Sequence, residues 1–327
     1  MFNKNNTIRS AIAVFVMPVA LLGAALESPA QTFPSKPLRL VTSEVGGSAD
    51  AGARLMAKGM TDRLNQQVIV DNRGSGVIPG TTVARAQPDG YTLLFFGGTF
   101  WLQPLWGNDV PYDPVRDFAP VTMAVQSPTV LVAHPAVQAT NVVELIKLAK
   151  ARPGELNLAT GAPGSTNYLG AELFKYMAQL DIVSIGFKGT GPAVNGIVSG
   201  QVQLMFATAS AVMPLVKQGR LRALAVGSSK RTAVAPGVPT VAESGVPGYE
   251  SVSRTAMFAP ARTPPDVVAK LNREANAYLA TNEAKERFLA TGAEAVGTTP
   301  DELRHIVVSE LERVGKMVKA VGIHVRQ

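Results

Sequence analysis

The chain has 327 residues, of which 46% are hydrophobic, 17% charged and 6% aromatic, a globular composition that excludes a wholly disordered or fibrous protein. It has no cysteine, which excludes disulfides, thiolate metal sites, a cysteine nucleophile and a lipid-anchored cysteine. The formal charge of +7, from 31 Lys and Arg against 24 Asp and Glu, is spread without a basic block, so it suits small anions and leaves no nucleic-acid footprint.

Lys4 and Arg9 precede an uncharged stretch from Ala11 to Leu26, followed by Ser28-Pro29-Ala30. This pattern predicts a signal peptide over residues 1–30 and an exported protein, periplasmic in a cell with two membranes. The stretch falls short of the roughly 20 apolar residues a spanning helix needs.

From Leu38, strand and helix patterns alternate: LRLVTS, a helix from Ala49 to Leu64, QVIVDN, a short helix near Thr82, and TLLFFG from Thr92. An extended passage from Pro111 to Pro135 leads to a second series. It comprises a helix from Asn141 to Ala151, LNLAT, a helix from Thr166 to Leu180, IVSIGF, a helix near Val194, LMFAT, a helix near Val212 and LRALAVG. Such βα alternation predicts parallel sheets covered by helices, and the length suits two lobes. Pro128 to Pro135 and Glu250 to Pro260 bracket the second series as two extended segments, the pattern of a paired hinge. Helical patterns return over Pro264 to Leu289 and Pro300 to Val321. Thr299-Pro300-Asp301-Glu302 has the form of a capping box, and Thr263-Pro264-Pro265-Asp266 resembles it. In the last helix Leu303, Ile306, Val307, Leu311, Val314, Val318 and Val321 form one apolar stripe, with Glu310, Glu312, Arg313 and Lys316 away from it.

Enzyme signatures are missing. There is no G-x-S-x-G elbow, no phosphate-binding P-loop and no G-x-G-x-x-G fingerprint, and His134, His305 and His324 form no zinc motif. No catalytic residue, metal or cofactor is expected. Three glycine-containing turns each lead from a strand to a helix: Gly46-Gly47-Ser48, Gly161 to Thr166, and Gly189-Thr190-Gly191. Glycine allows close backbone approach, and a helix N-terminus offers unpaired N–H groups and partial positive charge, so each turn can cradle a carboxylate or serve only as a tight turn and cap. In open α/β sheets, ligands collect at the carboxyl ends of strands, where these turns fall.

Nine fragments now bear on family. They are FPSKPLRLV at Phe33, GGSAD at Gly46, PDGYTLL at Pro88, VPYDPVRDFAPVT at Val110, GSTNYLGAELF at Gly164, FKGTGPAV at Phe187, SGQVQLMF at Ser199, VPTVAESGVPGY at Val238 and FAPARTP at Phe258. In this order they resemble the substrate-binding proteins of tripartite tricarboxylate transporters, the Bug-type receptors. The resemblance implies a two-lobed periplasmic-binding-protein fold of α/β class, each lobe a mainly parallel sheet flanked by helices, the lobes joined by two crossing strands. The expected first lobe is 31–132 with 254–327, the second 133–253. It further implies capture of a small organic acid, delivery to membrane permease subunits and no enzyme activity; a monomer is expected because a hinge protein must move its lobes freely. A sensor that docks on a membrane kinase, or an exported hydrolase, are the alternatives.

Carried over, the family's ligand loops fall on Glu44 to Asp50, including Gly46, Gly47 and Ser48, and on Gly164, Ser165, Thr166 and Asn167. Gly97 to Phe100, with Thr99 and Phe100, and Lys188, Gly189 and Thr190 to Gly191 follow, and Thr208 stands beside Ala207 where the family often has Asp. Ser165 and Thr166 can donate to a carboxylate or act as plain caps. Asp50 is expected to order its own loop. Lys188 either neutralises the ligand or lies in solvent. Phe100 and Trp101 either cover a bulky acid or pack in the core. The chain departs from the family in a shorter first loop that brings in Glu44, in Phe187 before the Lys-Gly pair, and in Asn167-Tyr168 where a histidine is frequent.

Overall fold

The computed structural model describes residues 33–45, 48–74, 76–106, 110–161 and 165–321. The expected signal peptide lies outside the described residues. The first series of elements is β1 (Leu38–Thr42), α1 (Ser48–Leu64), β2 (Val68–Asn72), α2 (Ile78–Ala84), β3 (Thr92–Gly97) and α3 (Thr99–Leu102), with a 3-10 turn at Gln103–Trp106. A strand of 16 residues follows, β4 (Phe118–Ala133). The second series is α4 (Val142–Ala151), β5 (Asn157–Thr160), α5 (Thr166–Ala178), β6 (Val183–Gly186), α6 (Thr190–Val198), β7 (Leu204–Thr208), α7 (Ala209–Lys217) and β8 (Arg222–Val226). The chain returns through β9 (Val252–Pro260), α8 (Pro265–Leu279), α9 (Asn282–Ala290), β10 (Glu294–Ala295) and α10 (Pro300–Val321).

Strand directions place the loops. β1, β2 and β3 are parallel, and β9 runs antiparallel to both β3 and β4, so β4 runs with β3. β4 then continues into a second sheet, where β7 and β8 flank it antiparallel, with β5 and β6 parallel to β7. The two parallel sets therefore point their carboxyl ends at each other, which is the two-lobed arrangement the family resemblance implies. β4 and β9 are the crossing strands, paired from Phe118↔Pro260 to Pro128↔Val252; β9 falls within the expected Glu250 to Pro260, whereas the pairing part of β4 precedes the expected Pro128 to Pro135, of which Thr129 to Ala133 pairs with β7 and β8 instead. Prolines, which donate nothing to a ladder, stand at two irregular points of β4: the register slips next to Pro120, and Pro128 stands where pairing passes from β9 to β7.

Side chains alternate along strands that are covered on both faces. Leu93 and Phe95 of β3 join Leu38, Leu40, Met56, Met60, Met257 and Leu271 under α1 and α8. Leu94 and Phe96 join the opposite core, which runs through Phe118, Leu131, Phe174 and Phe206 to Val307, Val314 and Met317 of α10. A third cluster, with Val130, Val132, Met205, Val212 and Val226, sits under α6 and α7.

Three helix expectations change. The pattern over Pro264 to Leu289 is two helices, because Thr281 accepts from the Ala284 N–H at 3.1 Å and starts a new one. Thr263 does not cap: its hydroxyl donates to the Pro260 carbonyl at 2.8 Å and closes the preceding turn. Glu310 leaves the solvent face expected for it and is largely buried, with 11% of its side chain exposed. The capping box at Thr299 is present, with the Glu302 N–H donating to Thr299 Oγ1 at 3.2 Å and the Thr299 N–H donating to Glu302 Oε2 at 2.8 Å. Among the described residues no helix is long and apolar enough to cross a membrane.

Two stability predictions follow from this packing. A Cβ at Gly59 of α1 would lie 2.2 to 2.3 Å from three atoms of the Tyr278 ring, including Cγ, which cannot swing away. Gly59→Ala is expected to destabilise by ~1–3 kcal/mol, read as a lower urea midpoint with an unchanged slope. Thr299→Ala removes a reciprocal cap and is expected to lower stability by ~1 kcal/mol in the same assay.

Candidate functional site

Four helices begin at the facing edges: α1 after β1, α5 after β5, α6 after β6 and α7 after β7. Their N-termini carry partial positive charge and unpaired N–H groups. Gly46, Gly47 and Gly164 lie outside the described residues. Ser48 opens α1. Asp50 is buried and accepts from Asn72 Nδ2 at 2.9 Å and Arg54 Nε at 3.2 Å, which ties the start of α1 to the end of β2. Asn72 also donates to the Ser43 carbonyl at 2.7 Å, which ties the end of β2 to the end of β1. Glu44 is exposed, so it does not bury a carboxylate beside a ligand.

Ser165 is the N-cap of α5 and accepts from the Tyr168 N–H at 3.3 Å, leaving its hydroxyl proton to donate elsewhere. Thr166 and Asn167 follow it half-buried. Lys188, Gly189 and Thr190 are exposed at the β6–α6 turn, where Gly189 has φ +107°, a conformation that glycine readily adopts. Thr208 is the half-buried N-cap residue of α7, its Oγ1 accepting from Ser210 Oγ at 3.4 Å. The fully buried Thr42 Oγ1, at the carboxyl end of β1, makes no hydrogen bond in the described structure.

The structure brings Thr99 and Thr166 together from opposite sheets. Both line one chamber of about 30 Å³, with Gly98 and Leu102 on one side and Leu169, Gly170 and Leu173 on the other. That volume leaves room for only a few waters between the two sides. Lys188, Gly189, Thr190 and Thr208 do not line it. Phe100 belongs to the core: it is 2% exposed, with its ring 4.7 Å from Phe118, 5.1 Å from Tyr112 and 5.3 Å from Phe258 between centroids. Trp101 is fully buried as well, so the packing alternative holds for both aromatics.

The floor of the chamber consists of residues that the sequence pattern did not single out as a site. Glu250, Ser251, Val252 and Arg254 come from β9 and the residues before it, and Glu310, Arg313, Val314 and Met317 from α10. Arg254 Nη2 lies 2.7 Å from Glu250 Oε1, and its Nη1 is 3.6 Å from Glu310 Oε1. Arg313 donates to the Glu250 carbonyl at 2.8 Å and lies 3.6 Å from the Glu250 carboxylate. Trp101 Nε1 donates to Glu310 Oε2 at 3.1 Å. Burial raises the Glu310 carboxyl above its ordinary range, and the charges of Arg254 and Arg313 and the Trp101 hydrogen bond oppose that rise. The available signal for this cluster was Arg254 itself, an arginine inside an otherwise mostly apolar strand. Tyr249 ties the chain before β9 to α5, its hydroxyl donating to the Gly170 carbonyl at 3.0 Å.

Chemically the arrangement offers oriented backbone donors and hydroxyls at the mouth, apolar walls, and a paired ionic floor. Among the described residues no group of three His, Cys, Asp or Glu side chains is placed to hold a metal.

Comparison with known proteins places the chain. Residues 52–323 match the family described as tripartite tricarboxylate transporter family receptor. Protein BugT of Bordetella pertussis (strain Tohama I) is 36% identical, the match covering 95% of this chain and 97% of BugT. Among solved structures, R. palustris Rpa4515 with adipate is similar at 34% identity and a TM-score of 0.73, covering 89% of this chain and 99% of that one. The periplasmic binding protein BugD is similar at 31% identity and a TM-score of 0.71, covering 90% and 100%. These are solute-binding receptors and not enzymes. The chain belongs to the tripartite tricarboxylate transporter receptor family.

Proposed function

We propose that this receptor captures a small organic acid in the periplasm, between a first lobe of residues 31–132 with 254–327 and a second lobe of 133–253, and passes it to the membrane permease subunits of a tripartite transporter. It acts as a monomer whose lobes hinge on β4 and β9. The observation that carries the reading is the opposition of two parallel-strand edges, each bearing helix N-termini and glycine turns, with Thr99 and Thr166 meeting between them. Adipate in the R. palustris relative supports a carboxylate as ligand.

In the proposed complex, the turns at Gly46, Gly47 and Ser48 and at Gly164, Ser165, Thr166 and Asn167 hold the carboxylate, with Thr99 and Thr208 beside them. Lys188, Gly189 and Thr190 contribute from the second lobe's outer turn. Backbone N–H groups and hydroxyls donate to the anion, and desolvation on closure strengthens each bond. Ligand that touches both edges shifts the population toward the closed form, because it binds that form better. The net charge of +7 favours anion encounter.

A thermal-shift screen of the purified protein, stripped of carried ligand by unfolding and refolding, tests the reading. At a hundredfold excess over Kd a cognate acid stabilises by ~2.7 kcal/mol, a rise of several degrees in a chain of this size. Absence of any saturable shift across mono-, di- and tricarboxylates would sink the proposal. Thr166→Val keeps the volume and removes one donor to a charged group, so it is expected to weaken the cognate acid about tenfold by calorimetry.

A further inference from the structure

The chamber between Thr99 and Thr166 has a composition that selects among acids. Its walls are Leu102, Leu169, Leu173, Val252, Val314 and Met317. The charged groups that line it are two guanidiniums, Arg254 and Arg313, and two carboxylates, Glu250 and Glu310. Each guanidinium lies within 4.0 Å of both carboxylates. Both arginines are thus already matched in charge, and Arg313 also has one nitrogen on the Glu250 carbonyl.

A carboxylate pushed into this chamber would lose its water and find no unmatched cation. Burying an unpaired charge is far more unfavourable than burying alkyl groups, and a carboxylate that displaced Glu250 or Glu310 from an arginine would strand that residue instead. A hydrocarbon end packs against the apolar walls and gains from leaving water, and it asks no charge of a floor whose ionic groups already pair with one another. The exposed Lys188 does not line the chamber and offers no compensating charge there.

We infer that the chamber bounded by Thr99, Thr166 and the Arg254–Glu310 floor receives the apolar end of a monocarboxylic acid, so that this receptor prefers monocarboxylates to dicarboxylates of equal length. The inference rests on the receptor reading and sharpens it. The carboxylate sits at the helix N-termini of the mouth and the alkyl end points to α10. The chamber is narrow in this conformation, so the sides bearing Thr99 and Thr166 part to admit the tail and close on it.

Calorimetric titration of the purified protein with matched pairs, butanoate against succinate and hexanoate against adipate, tests this directly. The expected result is that the monocarboxylate of at least one pair binds tenfold or more tighter than its partner. Equal or tighter binding of the dicarboxylates overturns the inference and leaves the receptor reading standing. Silence from all four acids, together with silence from the wider acid screen, overturns both. Glu310→Gln keeps an acceptor for Trp101 and leaves one guanidinium unmatched. It is expected to move selectivity about tenfold toward the dicarboxylate, and an unchanged ratio in a folded variant counts against the floor facing the ligand. Should that variant fail to fold, Leu169→Asn on a half-buried position replaces it. Several-fold weaker hexanoate binding supports the inference, and unaltered hexanoate binding overturns it.

Discussion

The pairing of β4 with β9 is the constraint from which the site follows. β4 is one strand of 16 residues that belongs to both sheets, so its direction sets the direction of every other strand relative to it. Because β3 runs with it and β7 against it, the carboxyl ends of both parallel sets must face one another. No side chain of the site determines that opposition. It comes from ladder hydrogen bonds, which are directional and which a buried backbone must make. Pro128, at the handover from β9 to β7, relieves one ladder donor where the partner changes.

A second constraint is electrostatic. Arg254, Glu250, Glu310 and Arg313 occupy a region where ionised groups are tolerated only with partners and donors. Each of the two carboxylates faces both arginines, and Glu310 also accepts a hydrogen bond from the Trp101 indole N–H. α10 is thereby tied to the α3 segment through Trp101, to β9 through Arg254, and to the chain before β9 through Arg313 and Glu250. In the proposed hinge motion Thr166, Leu169 and Leu173 of α5 approach a surface whose shape and charge are already set.

Much of the architecture was legible in the sequence because local rules sufficed for it. Period-2 and period-3.6 patterns located β1 to β3 and β5 to β8 and most helices, and turn glycines marked the strand-to-helix corners. What was not legible depends on contacts between distant segments. Amphipathic periodicity consigns Glu310 and Arg313 to the solvent face of α10, since an isolated helix has no other place for them. Only the arrival of Arg254, 56 residues earlier in the chain, makes an inward Glu310 tolerable. The undecided role of Phe100 and Trp101 was of the same kind: their core position comes from Tyr112, Phe118 and Phe258, which converge on them in space. The break at Thr281 and the two-residue β10 were too short to rise above a helical background, and β10 exists only because Glu294 and Ala295 meet Gln126 and Val125.

The division between what was legible and what was not coincides with a division of labour in recognition. Helix N-termini and glycine turns hold an anion with backbone groups, which are the same whatever the side chains, so they specify a carboxylate and nothing about the rest of the acid. The rest of the acid is read by what stands behind the mouth. Here that surface is assembled from Leu102, from Leu169 and Leu173, from Val252 and Arg254, and from Glu310 to Met317, four segments separated by between 56 and 79 residues. Local patterns announce the class of ligand because backbone geometry is local. Its identity is set by the balance of buried charge and apolar wall, which exists only after those four segments have come together.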